Sequence, residues 1–228
     1  CVNNLMLGSF GLINAGVDSI VNGQREPRYT PYHIRHRTEV AGFMSILHGD
    51  DRVYNNIFIS QHPVTDPAKA PTDNDYEVVG TASFNIFPSY EEWIGHFMMD
   101  REPDMRALAT YHFGHLPVWI DGNAYFNGAT VSRHEKRPLV KDDAGAYVKL
   151  AEADGKISLE TNVYEFLEDF RDGLVNSDIL GCAFEPEQRF ENPDGSAILF
   201  DQDYFGAHRG VSALPGPFAE AGAKRVVW

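Results

Sequence analysis

Two histidines and a carboxylate lie close together in the segment from Tyr32 to Glu39. His33 and His36 are three residues apart, and on a helix that spacing would place both rings on one face, where they could chelate a metal ion. The β-branched and aromatic residues that begin at Val40 favour an extended chain instead, in which the two rings point to opposite faces. The spacing therefore argues against a zinc site. It predicts that one of the two histidines faces a ligand.

The same segment can form hydrogen bonds with a neutral, hydroxylated ligand. His33 and His36 can each donate and accept at neutral pH, whereas Arg35 and Arg37 can only donate. Glu39 is the expected charge partner of this basic cluster. From these residues alone, two interpretations stay open: the cluster is a solvated basic rim, or it is a set of donors for sugar hydroxyls.

A second polar group is the turn His48-Gly49-Asp50-Asp51-Arg52, which contains two carboxylates, an imidazole and a guanidinium. Adjacent aspartates on a turn most often cap local N–H groups. Calcium binding is disfavoured because the regular spacing of oxygen ligands in a calcium loop is missing. Asp50 and Asp51 are also unsuited to be the two carboxyls of a retaining glycosidase, which lie ~5 Å apart across one bond. Consecutive side chains on a strand diverge instead.

The elements that must position these groups centre on the stretch from Thr38 to Ser60. Its apolar, β-branched and aromatic residues predict two strands around the polar turn. The sequence from Tyr54 to Ser60 repeats that from Val2 to Gly8, and Asn123 to Gly128 is a looser third copy. Recurrence of one strand-sized unit is typical of a parallel β-helix, in which each coil buries its inward side chains by stacking on the next. An ordinary β protein with a chance match is the alternative from the repeats alone.

Between the repeats the sequence predicts loops and one helix. The Gly-, Asn- and Pro-containing stretch from Ser9 to Thr30 predicts a long loop, and Gln61 to Asp75 predicts an exposed one. Ser89, followed three residues later by Glu92, forms a capping box that predicts a helix extending to Met98. We expect this helix to lie against the side of the β core.

From Ala146 onward the pattern changes to short apolar runs separated by turn signals, which predicts antiparallel hairpins. Val163 to Phe170 predicts a short helix. The chain is therefore expected to be all-β, with one or two short helices. Residues 1–130 are predicted to form the last coils of a parallel β-helix with long inserted loops and a lateral helix, and residues 131–228 a C-terminal, hairpin-rich cap over the last exposed coil.

Composition limits the function. The chain has 228 residues, enough for a sizeable core, and a formal net charge of −14. This charge argues against nucleic-acid and anionic-membrane surfaces, which require clustered Lys and Arg. A homo-oligomer stays open. The two cysteines, Cys1 and Cys182, do not form a disulfide framework, which favours a reducing compartment and thus the cytoplasm. The sequence contains no apolar run of the ~18 residues that a membrane span needs.

The chain has no initiator Met and begins inside a copy of the repeat, so we expect it to be the later part of a longer polypeptide. Cys1 could also be an N-terminal nucleophile with its own amine as base. This alternative is disfavoured because residues 2–7 are predicted to form a buried strand, and the sequence shows no oxyanion donors nearby.

These motifs together resemble a known family. The matching residues are His33, His36 and the run from Thr38 to Phe43, then Gly49 to Arg52 and Tyr54 to Ile59, then Asn123 to Gly128, and finally Asp201 with the run from Asp203 to Gly206. In this combination they are similar to the C-terminal part of the glycoside hydrolase family 120 β-xylosidases. The resemblance spans nearly the whole chain.

The resemblance implies a right-handed parallel β-helix core and retaining hydrolysis of β-1,4-xylosides and xylo-oligosaccharides. In such a reaction an Asp attacks the anomeric carbon, while a Glu protonates the leaving oxygen and later activates water. In the family both carboxylates lie on coils that precede the region matching residue 1. The resemblance therefore implies that no catalytic residue lies in this chain and that the upstream portion of the same protein is its partner. No metal or cofactor is expected. The residues expected to bind the sugar are His33, His36, Glu39, Asp50, Asp51 and Arg52.

Two other functions stay open at this point. A non-catalytic, carbohydrate-binding β-helix would bind sugars without turnover. A polysaccharide lyase on the same architecture would use acidic residues to hold Ca²⁺. A lyase releases an unsaturated sugar that absorbs ultraviolet light, so one absorption spectrum separates it from a hydrolase.

Overall fold

The computed structural model describes residues 1–8, 10, 18–60, 78–99, 102–103, 114–222 and 224–227. Strands far outnumber helices among these residues, and the two α-helices are short, which confirms the expectation of an all-β fold with one or two short helices. None of the described helices is long and apolar enough to cross a membrane.

The strands are, in chain order, β1 (Leu5–Met6), β2 (Asp18–Val21), β3 (Gln24–Pro27), β4 (Tyr29–His33), β5 (Val40–Ser45), β6 (Asp51–Tyr54), β7 (Ile57–Ile59), β8 (Met98–Met99), β9 (Glu102–Pro103), β10 (Val118–Asp121), β11 (Ala124–Phe126), β12 (Leu139–Lys141), β13 (Val148–Ala153), β14 (Lys156–Thr161), β15 (Asp172–Gly173), β16 (Ser212–Ala213) and β17 (Lys224–Val227). The helices are α1 (Tyr90–Gly95), α2 (Ser177–Leu180) and two 3₁₀ helices, Ala82–Ile86 and Val163–Phe166.

The three sequence repeats stack as neighbouring parallel strands. The sheet order is β1-β7-β11-β12, and all three pairings are parallel. Ile57 of the middle repeat lies opposite Leu5 on one side and Ala124 on the other, which is the register that the repeats predict. The sheet continues to β12, so parallel stacking extends past residue 130. The division of the chain at that residue stays a prediction.

A second parallel pair consists of β6 and β10, which precede β7 and β11 along the chain. The corner between the two sheets is occupied by Asn3, Asn55 and Gly122, whose φ angles are 58°, 54° and 71°. Asn and Gly are the residues that adopt this left-handed conformation most readily. The repeated Asn-Asn and Gly-Asn pairs therefore encode a sharp turn between two strands.

An asparagine ladder follows each corner. Asn56 Oδ1 accepts hydrogen bonds from the backbone N–H and from Nδ2 of Asn4, both at 2.9 Å. Asn123 Oδ1 accepts from the same two groups of Asn56, at 2.8 and 2.9 Å. Asn56 and Asn123 are fully buried. Each rung thereby satisfies polar groups that would otherwise be buried without partners.

The sheet that contains β7 has a core on each face. Ile57 and Ile59 point into one cluster with Phe126, Tyr164 and Leu214. Phe58 points to the other face, where its ring stacks on that of Tyr125 with centroids 5.2 Å apart. Burial of side chains of this size stabilises the fold by ~1.5–3 kcal/mol each.

The C-terminal residues cover the outer face of this sheet. Val148, Val163 and Phe218 belong to the same cluster as Ile57. Strands β13 and β14 form the predicted hairpin, which turns at Asp154 and Gly155. The hairpin and the residues around Phe218 therefore lie beside the stack.

Several local predictions were wrong. The expected loop from Ser9 to Thr30 contains the hairpin β2–β3, because Asn22-Gly23 is a two-residue hairpin turn.

The predicted capping box of Ser89 and Glu92 is present, with both hydrogen bonds formed. The helix ends at Gly95, and Met98 already belongs to β8.

The predicted strands on the two sides of the His48–Arg52 turn do not pair with each other, because β5 pairs antiparallel with β4 and β6 pairs parallel with β10. Val163 to Phe170, expected to be a short helix, forms a 3₁₀ helix over Val163–Phe166. The predicted loop from Gln61 to Asp75 lies outside the described residues.

Candidate functional site

The predicted donor segment is the turn of the β4–β5 hairpin. His33 is the last residue of β4, and β5 begins at Val40. Between them the Ile34 N–H donates to the Glu39 carbonyl at 2.9 Å, and His36 has a φ of 57°. The extended conformation expected across the histidine pair is wrong, because the chain reverses direction here. The argument that placed the two rings on opposite faces of a strand therefore does not apply.

Glu191, which the sequence analysis missed, ties this turn to a distant part of the chain. Its Oε1 accepts hydrogen bonds from His36 Nε2 at 2.7 Å and from Arg35 at 3.2 Å. The bond from His36 is the main cause that lowers the pKa of Glu191. Gln188 also donates to the His33 carbonyl, at 2.7 Å. The turn is therefore held by the 188–191 segment.

The remaining charges of the turn pair with each other. Arg37 and Glu39 form an ion pair whose side chains are 61% and 51% exposed, and the hydrogen bond from Arg37 lowers the pKa of Glu39. His33 Nδ1 donates to the Thr38 carbonyl at 2.9 Å. The turn is thus a polar rim whose charges already have partners.

Arg52, expected to bind substrate, is a buried anchor. Its guanidinium donates to the carbonyls of Leu180 and Cys182 at 3.0 and 2.7 Å. It also donates to the carbonyl and the carboxylate of Asp50. The guanidinium carbon lies 3.8 Å from the centre of the Trp119 ring, a cation–π contact. Arg52 therefore holds the chain after α2 against the β6–β10 pair.

The two aspartates of the turn differ in their surroundings. Asp50 Oδ2 accepts a hydrogen bond from the Phe184 N–H at 2.8 Å, while its own N–H donates to the Pro117 carbonyl at 2.7 Å. In Asp51, partial burial of the carboxylate raises the pKa. Asp50, like Arg52, is thus tied to the segment after α2.

The segment 180–191 joins the two groups that the sequence analysis kept apart. One end contacts Asp50 and Arg52, and the other contacts the turn at 33–39. Between them the Phe184 ring lies 4.7 Å from that of Trp93 on α1. These contacts place both groups along one connected wall.

A groove lies beside this wall on the outward side of β6 and β10. In β10, Val118 and Ile120 are buried, whereas Trp119 and Asp121 are half-buried and alternate with them. The groove has a volume of about 170 Å³. This is close to the ~150 Å³ of a protein cavity that accepts benzene, so it can admit one six-membered ring. Its lining includes Tyr54, Tyr90, Glu91, Trp119, Asp121 and Lys136.

The groove combines aromatic faces with polar groups, which is typical of small-ligand sites. Burial raises the pKa of Tyr54, so its hydroxyl stays protonated and can both donate and accept. Asp121 is ion-paired with Arg137 at 2.8 Å. Arg137 also binds Asp172 at 2.7 Å, which holds the Asp121 side of the groove in place. The set can bind a neutral ring through aromatic contact and hydrogen bonds.

Trp119 and Tyr54 were not among the predicted site residues. A signal was present in the alternation Val118-Trp119-Ile120-Asp121, which marks every second residue of a half-buried strand as outward. It could not show that Tyr54 of β6 lies opposite Asp121. Among the described residues, no group of three or more His, Cys, Asp or Glu is arranged to hold a metal ion.

Comparisons with known proteins found one solved structure that is similar to this chain. The chain is similar to XylC, solved in complex with xylose, with a TM-score of 0.76 and 29% sequence identity. The similarity covers 100% of this chain and 32% of the XylC chain, so this chain spans about a third of the length of XylC. No protein-family model and no curated protein sequence matches the chain. The chain is thus similar to this part of XylC in structure, at 29% sequence identity.

Proposed function

We propose that this chain forms the last coils of a right-handed parallel β-helix and part of the sugar pocket of a retaining β-xylosidase of glycoside hydrolase family 120. The observation that carries the proposal is the similarity to XylC, a protein solved with xylose, along the whole chain. The parallel stacking of β1, β7, β11 and β12 supports the β-helix architecture.

Retaining hydrolysis needs a carboxylate nucleophile and a carboxylic acid on opposite sides of one glycosidic bond. The proposal assigns neither to this chain, whose similarity covers 32% of XylC. The Asp and Glu are supplied by coils that precede residue 1 in the complete protein. The contribution of this chain is to bind the sugar.

Xylose is uncharged, so a pocket selects it through aromatic contact and a few well-placed hydrogen bonds. The groove at Tyr54 and Trp119 offers such a set, with Asp121 as an acceptor. Arg52 acts as a positioning residue, because its guanidinium stacks on Trp119. The turn at 33–39 forms a polar rim that is held by the same segment 180–191.

The first test compares the complete protein with the isolated chain. We expect the complete protein to hydrolyse an aryl β-xyloside and to release β-xylose first, detected by NMR of the anomeric proton. The isolated chain should show no turnover. Turnover that depends on a carboxylate of this chain would contradict the proposal. An ultraviolet-absorbing product would indicate a lyase, and binding without turnover by the complete protein would indicate a binding module.

The second test locates the pocket within the complete enzyme. Tyr90 lines the groove, whereas Tyr147 is bonded to Glu160 on the β13–β14 hairpin and serves as the matched control. We expect Tyr90→Ala to lower kcat/KM on xylobiose about tenfold, the size of one lost aromatic contact. Tyr147→Ala should leave it within twofold. Equal effects of the two substitutions would show that the groove is not part of the sugar pocket.

The third test concerns the histidines of the rim. We expect one of His33→Ala and His36→Ala to lower kcat/KM on xylobiose by roughly ten- to a hundredfold, the size of a lost hydrogen bond, with the melting temperature maintained. Rates within twofold of the parent for both variants would show that the pocket does not extend to this turn.

A further inference from the structure

A second cavity lies on the other side of helix α1 from the groove. Tyr90 and Glu91 line the groove, whereas Glu92 and Trp93, the next two residues of the helix, line the cavity. The volume of the cavity is about 370 Å³, against about 170 Å³ for the groove. Pockets that bind small molecules begin at ~300 Å³, so the cavity is large enough for a ligand of its own.

Aromatic rings form much of the wall of this cavity. Trp93 and Phe97 are half-buried, and their ring centres lie 4.5 Å apart. Phe87 is buried, and its ring centre lies 4.7 Å from that of His115, which also lines the cavity. Aromatic faces of this kind pack well against the apolar C–H face of a ring-shaped ligand.

His115 supplies a polar atom whose hydrogen-bonding capacity is unused. Its Nδ1 is buried and has no hydrogen-bond partner in the part of the chain that the structure describes. A buried polar atom without a partner costs ~1–3 kcal/mol, so it marks a place where a partner is expected.

The chemistry of His115 selects the kind of partner. Burial lowers the pKa of the imidazole, and the nearby His48 lowers it further, so the ring is neutral at pH 7. A neutral imidazole has one nitrogen that donates and one that accepts. A hydroxyl can both donate and accept, so it can bond to Nδ1 in either tautomer. An ammonium group can only donate, and a carboxylate can only accept.

The charged groups of the cavity also favour an uncharged ligand. Glu92 and Arg133 are the two residues of its lining with permanent charges. The Arg133 guanidinium donates to both carboxylate oxygens of Glu92, at 2.6 and 2.8 Å, and its Nε donates to the Asn85 carbonyl at 3.1 Å. The two charges therefore neutralise each other, and the cavity offers little attraction to an ion.

We propose that this cavity is a second binding site, which takes one uncharged, hydroxylated ring such as a sugar unit. The ring packs against Trp93 and Phe97, and one of its hydroxyls is the partner of His115 Nδ1. The site goes beyond the proposed function, which uses the groove on the opposite side of α1. A trapped water molecule is the competing occupant, but it would leave the aromatic faces without a contact.

The first measurement follows the histidine rings of the complete protein by NMR, with ¹³C at Cε1 and xylose as the probe. The peak of His115 is identified by its absence from the variant His115→Phe. We expect xylose to shift this peak to saturation, whereas the peak of His208, whose side chain is 78% exposed, should stay in place. The carboxylate analogue xylonate should give no shift at equal concentration.

Two outcomes of this titration would overturn the proposal. Without a saturable shift of the His115 peak by xylose, water would be the occupant of the cavity. An equal shift by xylonate would show that the cavity does not select an uncharged ligand.

The second measurement repeats the titration with variants of the aromatic wall. We expect Phe97→Ala to weaken xylose binding at His115 about tenfold, the size of one lost aromatic contact. Phe205→Ala is the matched control, because Phe205 also packs against another ring, that of Phe218, and does not line the cavity. It should leave the affinity within twofold. Melting temperatures show that both variants are folded, and equal affinities for the two would overturn the proposal.

The third measurement separates the cavity from the groove. Tyr90→Ala alters the groove, and we expect xylose to shift the His115 peak in this variant with an affinity within twofold of the parent. Loss of the shift would show that His115 reports a sugar bound in the groove, and it would overturn a separate site. The titration needs no turnover, so a complete protein without xylosidase activity would contradict the proposed function and leave this result unaffected.

Discussion

The parallel stack and the β4–β5 hairpin use polar residues in opposite ways. In the stack, Asn56 and Asn123 are fully buried, and their amides bond to the neighbouring rungs. On the hairpin, Arg37 and Glu39 are more than half exposed and pair with each other. The buried amides set the register of the strands, whereas the exposed charges shape a rim.

This difference separates the buried asparagines, which stabilise the fold, from the exposed charged residues of the hairpin, which contribute little to stability although they are more numerous. A buried amide that loses its partner costs ~1–3 kcal/mol, while an exposed ion pair contributes ~0–1 kcal/mol. The densest cluster of His and Arg in the sequence therefore has less influence on the structure than a single buried Asn. Removing residues from each region tests this contrast.

Asn56→Ala should have the largest effect. It removes the acceptor of the Asn4 N–H, which is left without a partner. It also removes one of the two donors to Asn123 Oδ1, which keeps only the bond from the backbone N–H of residue 56. We expect a loss of about 3–4 kcal/mol in the free energy of unfolding, measured by urea denaturation. Asn192→Ala, in a surface turn, is the control and should cost under about 1 kcal/mol. Similar losses for the two variants would show that the ladder is not a special stabiliser.

Arg52→Ala should have the next largest effect. Its guanidinium bonds to Leu180 and Cys182, and hydrogen bonds to a charged group contribute ~1.5–3 kcal/mol. We expect a loss of about 2–3 kcal/mol and faster proteolysis within residues 180–191. Arg52→Lys should not restore the parent, because one ammonium cannot reproduce the planar fork. Recovery by Lys would indicate that charge alone matters here.

Glu135 and Glu92 should shift the pH dependence of stability in opposite directions. Glu135 Oε2 accepts a hydrogen bond from Asn123 Nδ2 at 2.7 Å, at the end of the asparagine ladder. Burial raises the pKa of Glu135 in the folded protein above its usual value of 4.5. The contribution of this group to the free energy of unfolding is therefore complete below pH 4.5 and is lost as pH rises through the pKa of the folded state. Arg133 lowers the pKa of Glu92 to about 2, so its contribution is present above 4.5 and is lost as pH falls toward 2.

We therefore expect Glu135→Gln to gain stability relative to the parent as pH rises above 4.5. Glu92→Gln should lose stability relative to the parent over the same rise, by a small amount, because its side chain is exposed. Denaturation midpoints between pH 4 and pH 8 measure both trends. Parallel trends would contradict the assignment of Glu135 as a buried carboxylate at the end of the ladder.

Arg37→Ala should have the smallest effect. Its ion pair with Glu39 is exposed, so we expect a change within about 0.5 kcal/mol that vanishes at high salt. Urea denaturation in low and high salt measures it. A salt-independent loss above 1 kcal/mol would show that the hairpin contributes to stability in the same way as the stack.

Local signals in the sequence determined much of the stack. The repeats that begin at Val2, Tyr54 and Asn123 predicted the strands that stack, because each copy carries an Asn followed by three apolar or aromatic residues. The capping box at Ser89 and the turn at Asp154 were also predicted from the sequence, because each is a short local motif. Such signals depend on residues only a few positions apart.

The tertiary structure alone decided how the candidate site is assembled. His36 and Glu191 are 155 residues apart, and Arg52 and Leu180 are 128 apart. Glu135 completes a ladder of asparagines that it does not resemble in sequence. These contacts arise because the chain packs the segment 180–191 against β6 and brings a carboxylate to the end of the ladder. No local periodicity encodes which distant segment covers a given strand, so the sequence could name candidate residues but not their neighbours.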